Sequence, residues 1–384
     1  MFRHLFFALL GMLLLPAPSI CQDIGKILAS DYEYKMISSG RNYPTVDIQA
    51  NHLGEICILL HHRVPVEEIN RYFHWSDQEL QSRLDILLKE NLIKRDDRFG
   101  YLPSFMLISL EDGKRLAKPG GDLEKQVTRL IVTKLPEIRK RYDEIEGLRG
   151  MPFQKTSLLI LSNVLPDNWQ IRNVEQRFLR AERPLRNGMH YYYSIQEKVK
   201  GAPTEAFGIY GNMNSGYGSA SVSLYGNQRQ GLNFITIEKP QLKEWFGIDD
   251  SEDAWKFKQK LVEEVLRLSS NANAALSEQH KQGFEKLGFI ENGKLSVPIF
   301  HKGDQKKLAE IAGLITDELI RLLEKHRSEL EKSYRESAYS QEVSFEEYGI
   351  WWYHFFYTDV TENLIAKGYI TRPATGVFTY LNSQ

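Results

Sequence analysis

Residues 53–108 read LGEICILLHHRVPVEEINRYFHWSDQELQSRLDILLKENLIKRDDRFGYLPSFMLI. Leu53, Ile56, Cys57 and Leu60 are spaced to line one helical face. Pro65 interrupts that helix, because its ring fixes φ and removes a donor. A second short helix is expected with Val66, Ile69 and Phe73 on one side. Ser76 stands three residues before Glu79, the pattern of a capping box. A third helix then carries Leu80, Leu84, Leu87 and Leu88 in one stripe. After Asn91 the pattern changes to a short strand at Leu92-Ile93, a polar turn from Arg95 to Gly100, and a second strand from Tyr101 to Ile108.

Three short helices followed by a hairpin resemble the winged helix-turn-helix superfamily, over this stretch and at the level of fold. In DNA-binding members, the resemblance implies, the third helix enters the major groove and the wing lies on the backbone. That docking needs a basic, hydrogen-bonding face. Here the face offers Asp77, Gln78, Glu79, Gln81, Arg83, Asp85, Lys89 and Glu90, which leans acidic. Lys94, Arg95 and Arg98 supply the wing, with Asp96 and Asp97 among them. A fold reused as a scaffold explains this better than DNA readout.

The rest of the chain is read outward from this unit. With 384 residues, two or three domains are expected. The 49 basic and 50 acidic residues nearly cancel, which argues against a general polyanion partner. Two cysteines build no disulfide framework, and Cys57 is expected to pack as a small hydrophobe. Residues 1–21 look like an export signal: Arg3, an 11-residue apolar run from Leu5 to Leu15, then Ala17-Pro18-Ser19. The run is too short for a bilayer, which needs about 20 residues. Any membrane link would be a lipid anchor at Cys21, which Ile20 fits poorly.

Residues 22–120 form the first winged-helix-like domain, and 121–148 a long connecting helix kinked at Pro136. Residues 149–250 are expected to be β-rich. The apolar run from Ser157 to Leu165 fits strand or helix, and Asp167 to Leu179 reads as helix. Strands at Tyr191–Val199, Ala206–Tyr210, Ser219–Tyr225 and Leu232–Ile237 would make a small antiparallel sheet, with glycines at 211, 216, 218, 226 and 231 as turns. Residues 251–335 repeat the opening theme: helices, Gly288, a strand at Phe289-Ile290, the turn Asn292-Gly293, and a return from Leu295 to Phe300 before another long amphipathic helix. The echo reads as a degenerate internal repeat. In 336–384, seven aromatics crowd Tyr348–Tyr357, the pattern of a helix buried on most sides, and Val377–Leu381 closes a third, truncated wing. The fold class is therefore α+β, with two winged-helix-like units flanking a small antiparallel-sheet domain.

Chemistry is sparse. The chain has no P-loop, no His-Glu-x-x-His zinc helix, no Cys-x-x-Cys pair and no Gly-x-Ser-x-Gly elbow. No cofactor and no metal are expected, and the adjacent His61 and His62 read as surface histidines. Gly216-Tyr217-Gly218-Ser219 reads as a plain hairpin loop. Arg183, Arg186 and His190 precede the tyrosine run 191–193. The candidate site is a polar, aromatic-floored pocket for a glycan or peptide, built from His190, Tyr192, Asn212, Asn227 and Arg229. Ordinary strand composition explains those tyrosines equally well.

The functional expectation is an exported, periplasmic or secreted, non-catalytic binding or scaffolding protein. Its winged-helix-like units would serve as protein-contact surfaces, with a protein or glycan partner rather than nucleic acid. One alternative is a DNA-binding regulator whose apolar start is a core helix. The other is an enzyme with a composite glycan site near His190, Glu197 and Arg229, for which the sequence nominates no acid–base pair.

Overall fold

The computed structural model describes residues 24–198, 210–227, 232–270 and 275–383, and the chain is mixed α+β. A short helix α1 (Ile24–Leu28) leads into β1 (Asp31–Ile37). Helices α2 (Leu53–His61), α3 (Val66–Phe73) and α4 (Asp77–Lys89) follow where the periodicity places them. α2 is apolar nearly all round, so it is buried along its length, and Cys57 sits free inside it with its thiol pushed up by burial. α4 starts with the expected reciprocal cap. The Ser76 hydroxyl accepts from the Glu79 amide at 3.3 Å, and the Glu79 carboxylate accepts from the Ser76 amide at 2.8 Å.

The hairpin of β2 (Ile93–Asp96) and β3 (Gly100–Pro103) is closed by Asp96, whose carboxylate accepts from the amides of Arg98 and Phe99, both at 2.9 Å. The expected second strand is broken in two. Ser104 makes the last rung, its amide donating to the Leu92 carbonyl at 2.9 Å, and the chain then leaves the hairpin. β4 (Met106–Ile108) joins a different sheet.

α5 (Leu110–Ala117) and α6 (Gly121–Tyr142) come next, and α6 continues through Pro136 as one helix. The ambiguous run 157–165 is helix: α7 (Phe153–Leu158) passes into a π-helical turn over 159–164, every residue of it buried. A second π-helical turn over 174–179 follows the short α8 (Ile171–Asn173).

The expected central sheet is divided. β5 (Leu185–Arg186) and β6 (Met189–His190) form a tight hairpin, and β7 (Tyr192–Lys198) pairs antiparallel with β1 and parallel with β4. β8 (Tyr210–Tyr217) and β9 (Ala220–Asn227) belong to a second sheet, as a plain hairpin turning at Gly218-Ser219. Residues 206–209 lie outside the described residues. Leu232–Ile237 is not a strand. Asn233 accepts from the amides of Ile235 and Thr236 at 3.0 Å, and this local turn outcompetes a ladder. Of the described glycines expected in turns only Gly218 is in one: Gly211 and Gly216 lie within β8, Gly231 lies outside the described residues, and Gly226 is not a turn residue either. It lies within β9 at φ +148°, where a Cβ would stand 2.4 Å from the Gly376 carbonyl, so it marks a close approach of two backbones.

Beyond it run α9 (Lys239–Phe246), α10 (Ala254–Ser270) and α11 (Glu278–Lys286). β10 (Ile290–Glu291) and β11 (Lys294–Leu295) close over Asn292 and Gly293, both with positive φ, as the dipeptide requires. β12 (Ile299–Phe300), α12 (Lys302–Arg335), α13 (Tyr339–Glu342), α14 (Phe345–Ala366) and β13 (Val377–Ser383) complete the chain. The third wing does not form. Residues 367–376 contain no strand, and β13 pairs parallel with β12 and antiparallel with β9. The sheets are thus β1-β7-β4 and β12-β13-β9-β8. In each, the strand after a helix-hairpin unit enters parallel to its neighbour. α14 lies in the largest apolar cluster with all seven aromatics of Tyr348–Tyr357 buried.

Candidate functional site

α14 places Trp351, His354 and Tyr357 three residues apart, hence on one side of the helix. They form the floor of a cavity of about 650 Å³. Its walls come from the end of β1 (Lys35 to Ile37), Gln196 on β7, the start of β8 (Tyr210 to Asn212), and the segment from Asp167 to Gln176. That size falls within the range of small-molecule sites.

Asp167 lies between the two π-helical turns, its amide donating to the Ser162 carbonyl at 3.1 Å, five residues back. Such widened turns recur at functional sites. The residue is 4% exposed. Burial pushes its carboxyl up to about 8, against the opposite pull of the Tyr225 and Tyr357 hydroxyls. Burial also pushes His354 down to about 4, and its Nδ1–H donates to the Ile350 carbonyl at 2.8 Å. At neutral pH the cavity wall therefore carries a protonated acid and a neutral imidazole. Beside them Arg183 donates through Nε to Glu175 at 2.7 Å.

Of the expected site residues, His190 and Asn212 do meet at this cavity, on its exposed rim. The His190 amide donates to Asn42 Oδ1 at 2.9 Å, and its ring lies 3.0 Å from the Arg183 carbonyl. Asn212 Oδ1 accepts from Asn163 at 3.1 Å. Tyr192 is buried behind the wall and does not line the cavity. Asn227, at the end of β9, pairs with Tyr210 but does not itself line the cavity. Arg229 lies outside the described residues. Arg183 lines the cavity, whereas Arg186 is consumed in a buried ion pair. Glu197 accepts from the Ser30 hydroxyl at 2.7 Å and the Leu110 amide at 2.8 Å, away from the cavity. Asp167 and the α14 trio were not singled out by sequence. The one signal was Trp, His and Tyr at spacing three within the aromatic stretch Tyr348–Tyr357.

His61 is not a surface residue. It is 9% exposed, with Nδ1 2.9 Å from Glu342, Nε2 3.3 Å from Asp112, and Tyr339 stacked at 5.7 Å. Arg63 reaches the same Glu342 at 2.5 Å. Burial alone would push His61 down, but Glu342 and Asp112 outweigh it and hold the imidazole at about 9. A value raised above the ordinary 6.5 contributes stability that is complete below pH 6.5 and lost as pH rises through 9. Urea unfolding is expected to show a loss of roughly 2–3 kcal/mol between pH 6.5 and 9.5 that His61→Gln flattens. An equally steep loss in the variant would assign it to other groups.

Among the described residues, no group of His, Cys, Asp and Glu is placed to hold a metal ion, and no helix is long and apolar enough to cross a membrane. No protein-family model, curated protein or solved structure matches the chain.

Proposed function

We propose that the chain is an exported binding protein whose ligand site is the cavity on α14. The observation that carries this reading is the convergence of buried polar groups from four separate parts of the chain, at Asp167, Arg183, Gln196 and Trp351, on one cavity. The unit of residues 53–108, winged-helix-like in its order of elements, acts as scaffold and protein-contact surface. Its third helix, α4, is a poor DNA reader. Its exposed side leans acidic, and Arg83 is held by the carbonyls of Asn51 at 3.1 Å and Glu79 at 2.8 Å and by the Trp75 ring at 4.1 Å. Export rests on the signal-like pattern of residues 1–21.

A thermal-shift screen of the full chain against sugars, sugar acids and short peptides tests the proposal. A ligand at a hundred times its Kd adds about 2.7 kcal/mol of stability. Hits are expected to lose their effect in Asn212→Trp, which fills the mouth of the cavity. Hits that persist in that variant, or a screen without hits, would count against the site.

One observation favours a second reading, catalysis at the same cavity: Asp167 and His354 are pushed in opposite directions, the arrangement that separates acid from base. Turnover of a hydrolase-substrate panel that is abolished in Asp167→Asn would establish it.

A further inference from the structure

Four residues that line the cavity carry a buried polar atom with no partner among the described residues: Asp167 Oδ2, Arg183 Nη1, Trp351 Nε1 and Gln196 Oε1. The last accepts. Arginine and tryptophan side chains can only donate, and a protonated carboxyl donates too. The wall therefore offers three unmatched donors against one acceptor. Buried donors are stabilised only by acceptors, so the complementary ligand carries an excess of them. A neutral polyol does not answer this need, because each hydroxyl brings a donor with its acceptors. Arg172 adds positive charge at the cavity and Glu182 is the opposing rim charge, while Lys35 is paired with Glu33 at 3.7 Å and Glu175 with Arg183 at 2.7 Å. A dianion such as phosphate would face both glutamates. A monoanion can accept from Arg183 Nη1, the guanidinium nitrogen that Glu175 leaves free, and from the acid proton together.

We propose that the ligand carries a carboxylate, seated against Asp167, Arg183 and Trp351. This rests on the cavity being a binding site and names the chemistry it selects. Asp167 must stay protonated, since two ionised carboxylates in one site repel. The groups facing Asp167 do not confuse its titration. Tyr225 from β9, Tyr380 from β13, and Tyr353 and Tyr357 from α14 are all pushed up and stay neutral, and His354 is pushed down and stays neutral. Lys35 on β1, Arg172 and Glu175 on the neighbouring segment, and Glu182 and Arg183 beyond it are the remaining charges. His190 on the rim is the other imidazole at the cavity, and a His190→Gln background removes it.

Calorimetric titration of the full chain with N-acetyl-L-alanine against its amide, and with D-glucuronate against methyl β-D-glucopyranoside, tests the assignment. At least one acid is expected to bind ten times or more tighter than its neutral counterpart at pH 6.5. Its affinity should fall about tenfold by pH 9, one proton being linked to binding. The acid that binds identifies the source, amino acid or sugar. Asp167→Asn should keep the affinity and lose the pH dependence, and Asp167→Leu, shown folded by circular dichroism, should lose binding. Equal affinity for acid and neutral counterpart, or unchanged acid binding in Asp167→Leu, overturns the carboxylate assignment and leaves the binding cavity standing. So does a screen whose cavity-dependent hits are all neutral. No cavity-dependent ligand of any kind overturns both.

Discussion

Replacing Arg186 with alanine is expected to destabilise the protein by about 3–5 kcal/mol, the usual effect of stripping one partner from a buried ion pair. Arg186 and Glu347 are 2% and 3% exposed, with Arg186 Nη2 2.8 and 2.7 Å from the two carboxylate oxygens. The same guanidinium donates to the carbonyls of Tyr191 and Ser104, each at 2.6 Å. It thus ties the β5–β6 hairpin and the end of β3 to the first turn of α14. Burial already pushes Glu347 up to about 7, with Arg186 holding it down. Without Arg186 the carboxyl takes up a proton, and two carbonyls lose their donor. Urea unfolding at pH 7 checks the magnitude. The double variant Arg186→Met with Glu347→Leu should recover most of the loss, because apolar groups of similar volume need no partner. A single-variant loss below 1 kcal/mol would show that the pair is not buried as described.

Trp352→Ala is expected to cost a similar amount, about 3–5 kcal/mol, by opening a cavity in the largest apolar cluster. Trp352 is 2% exposed and stacks on Phe356 at 5.3 Å with an interplanar angle of 18°. Its neighbour Trp351 lines the ligand cavity. Trp352→Phe keeps the ring and should cost less than half as much. Equal losses in the two variants would place the effect outside packing.

The two destabilised variants test parts of the fold that differ in how plainly the sequence announced them. The crowd of aromatics in Tyr348–Tyr357 fitted no single helical stripe, so burial on most sides could be read directly. The Ser76–Glu79 cap and the Asn292-Gly293 turn were equally plain, because a few adjacent residues set their geometry. Arg186 could be seen only as one more polar residue before the tyrosines. Its partner lies on α14, and no local pattern joins them. The same distance hid the sheets. Tyr192–Lys198 has strand composition, but composition does not say that its neighbours are β1 and β4. Val377–Leu381 looked like the return of a hairpin because its true partners, β9 and β12, are remote in sequence. Leu232–Ile237 was misjudged for the opposite reason, since a local Asn233 turn overrode an apolar run.

The candidate site divides along the same line. His190 and Asn212 were legible as exposed polar groups beside aromatic strands. Asp167 was silent, because its protonated state depends on burial, which only the folded chain supplies and which outweighs the pull of the Tyr225 and Tyr357 hydroxyls. His61 was misread as a surface residue. Glu342 and Asp112, which bury and charge it, come from α13 and α5.

The most direct test of the account is an infrared difference spectrum of the wild-type protein against Asp167→Asn across pH 5 to 10. A carbonyl band of a protonated carboxylic acid is expected at pH 7, disappearing with a midpoint near 8. A spectrum showing only ionised carboxylate at Asp167 down to pH 5 would contradict the account.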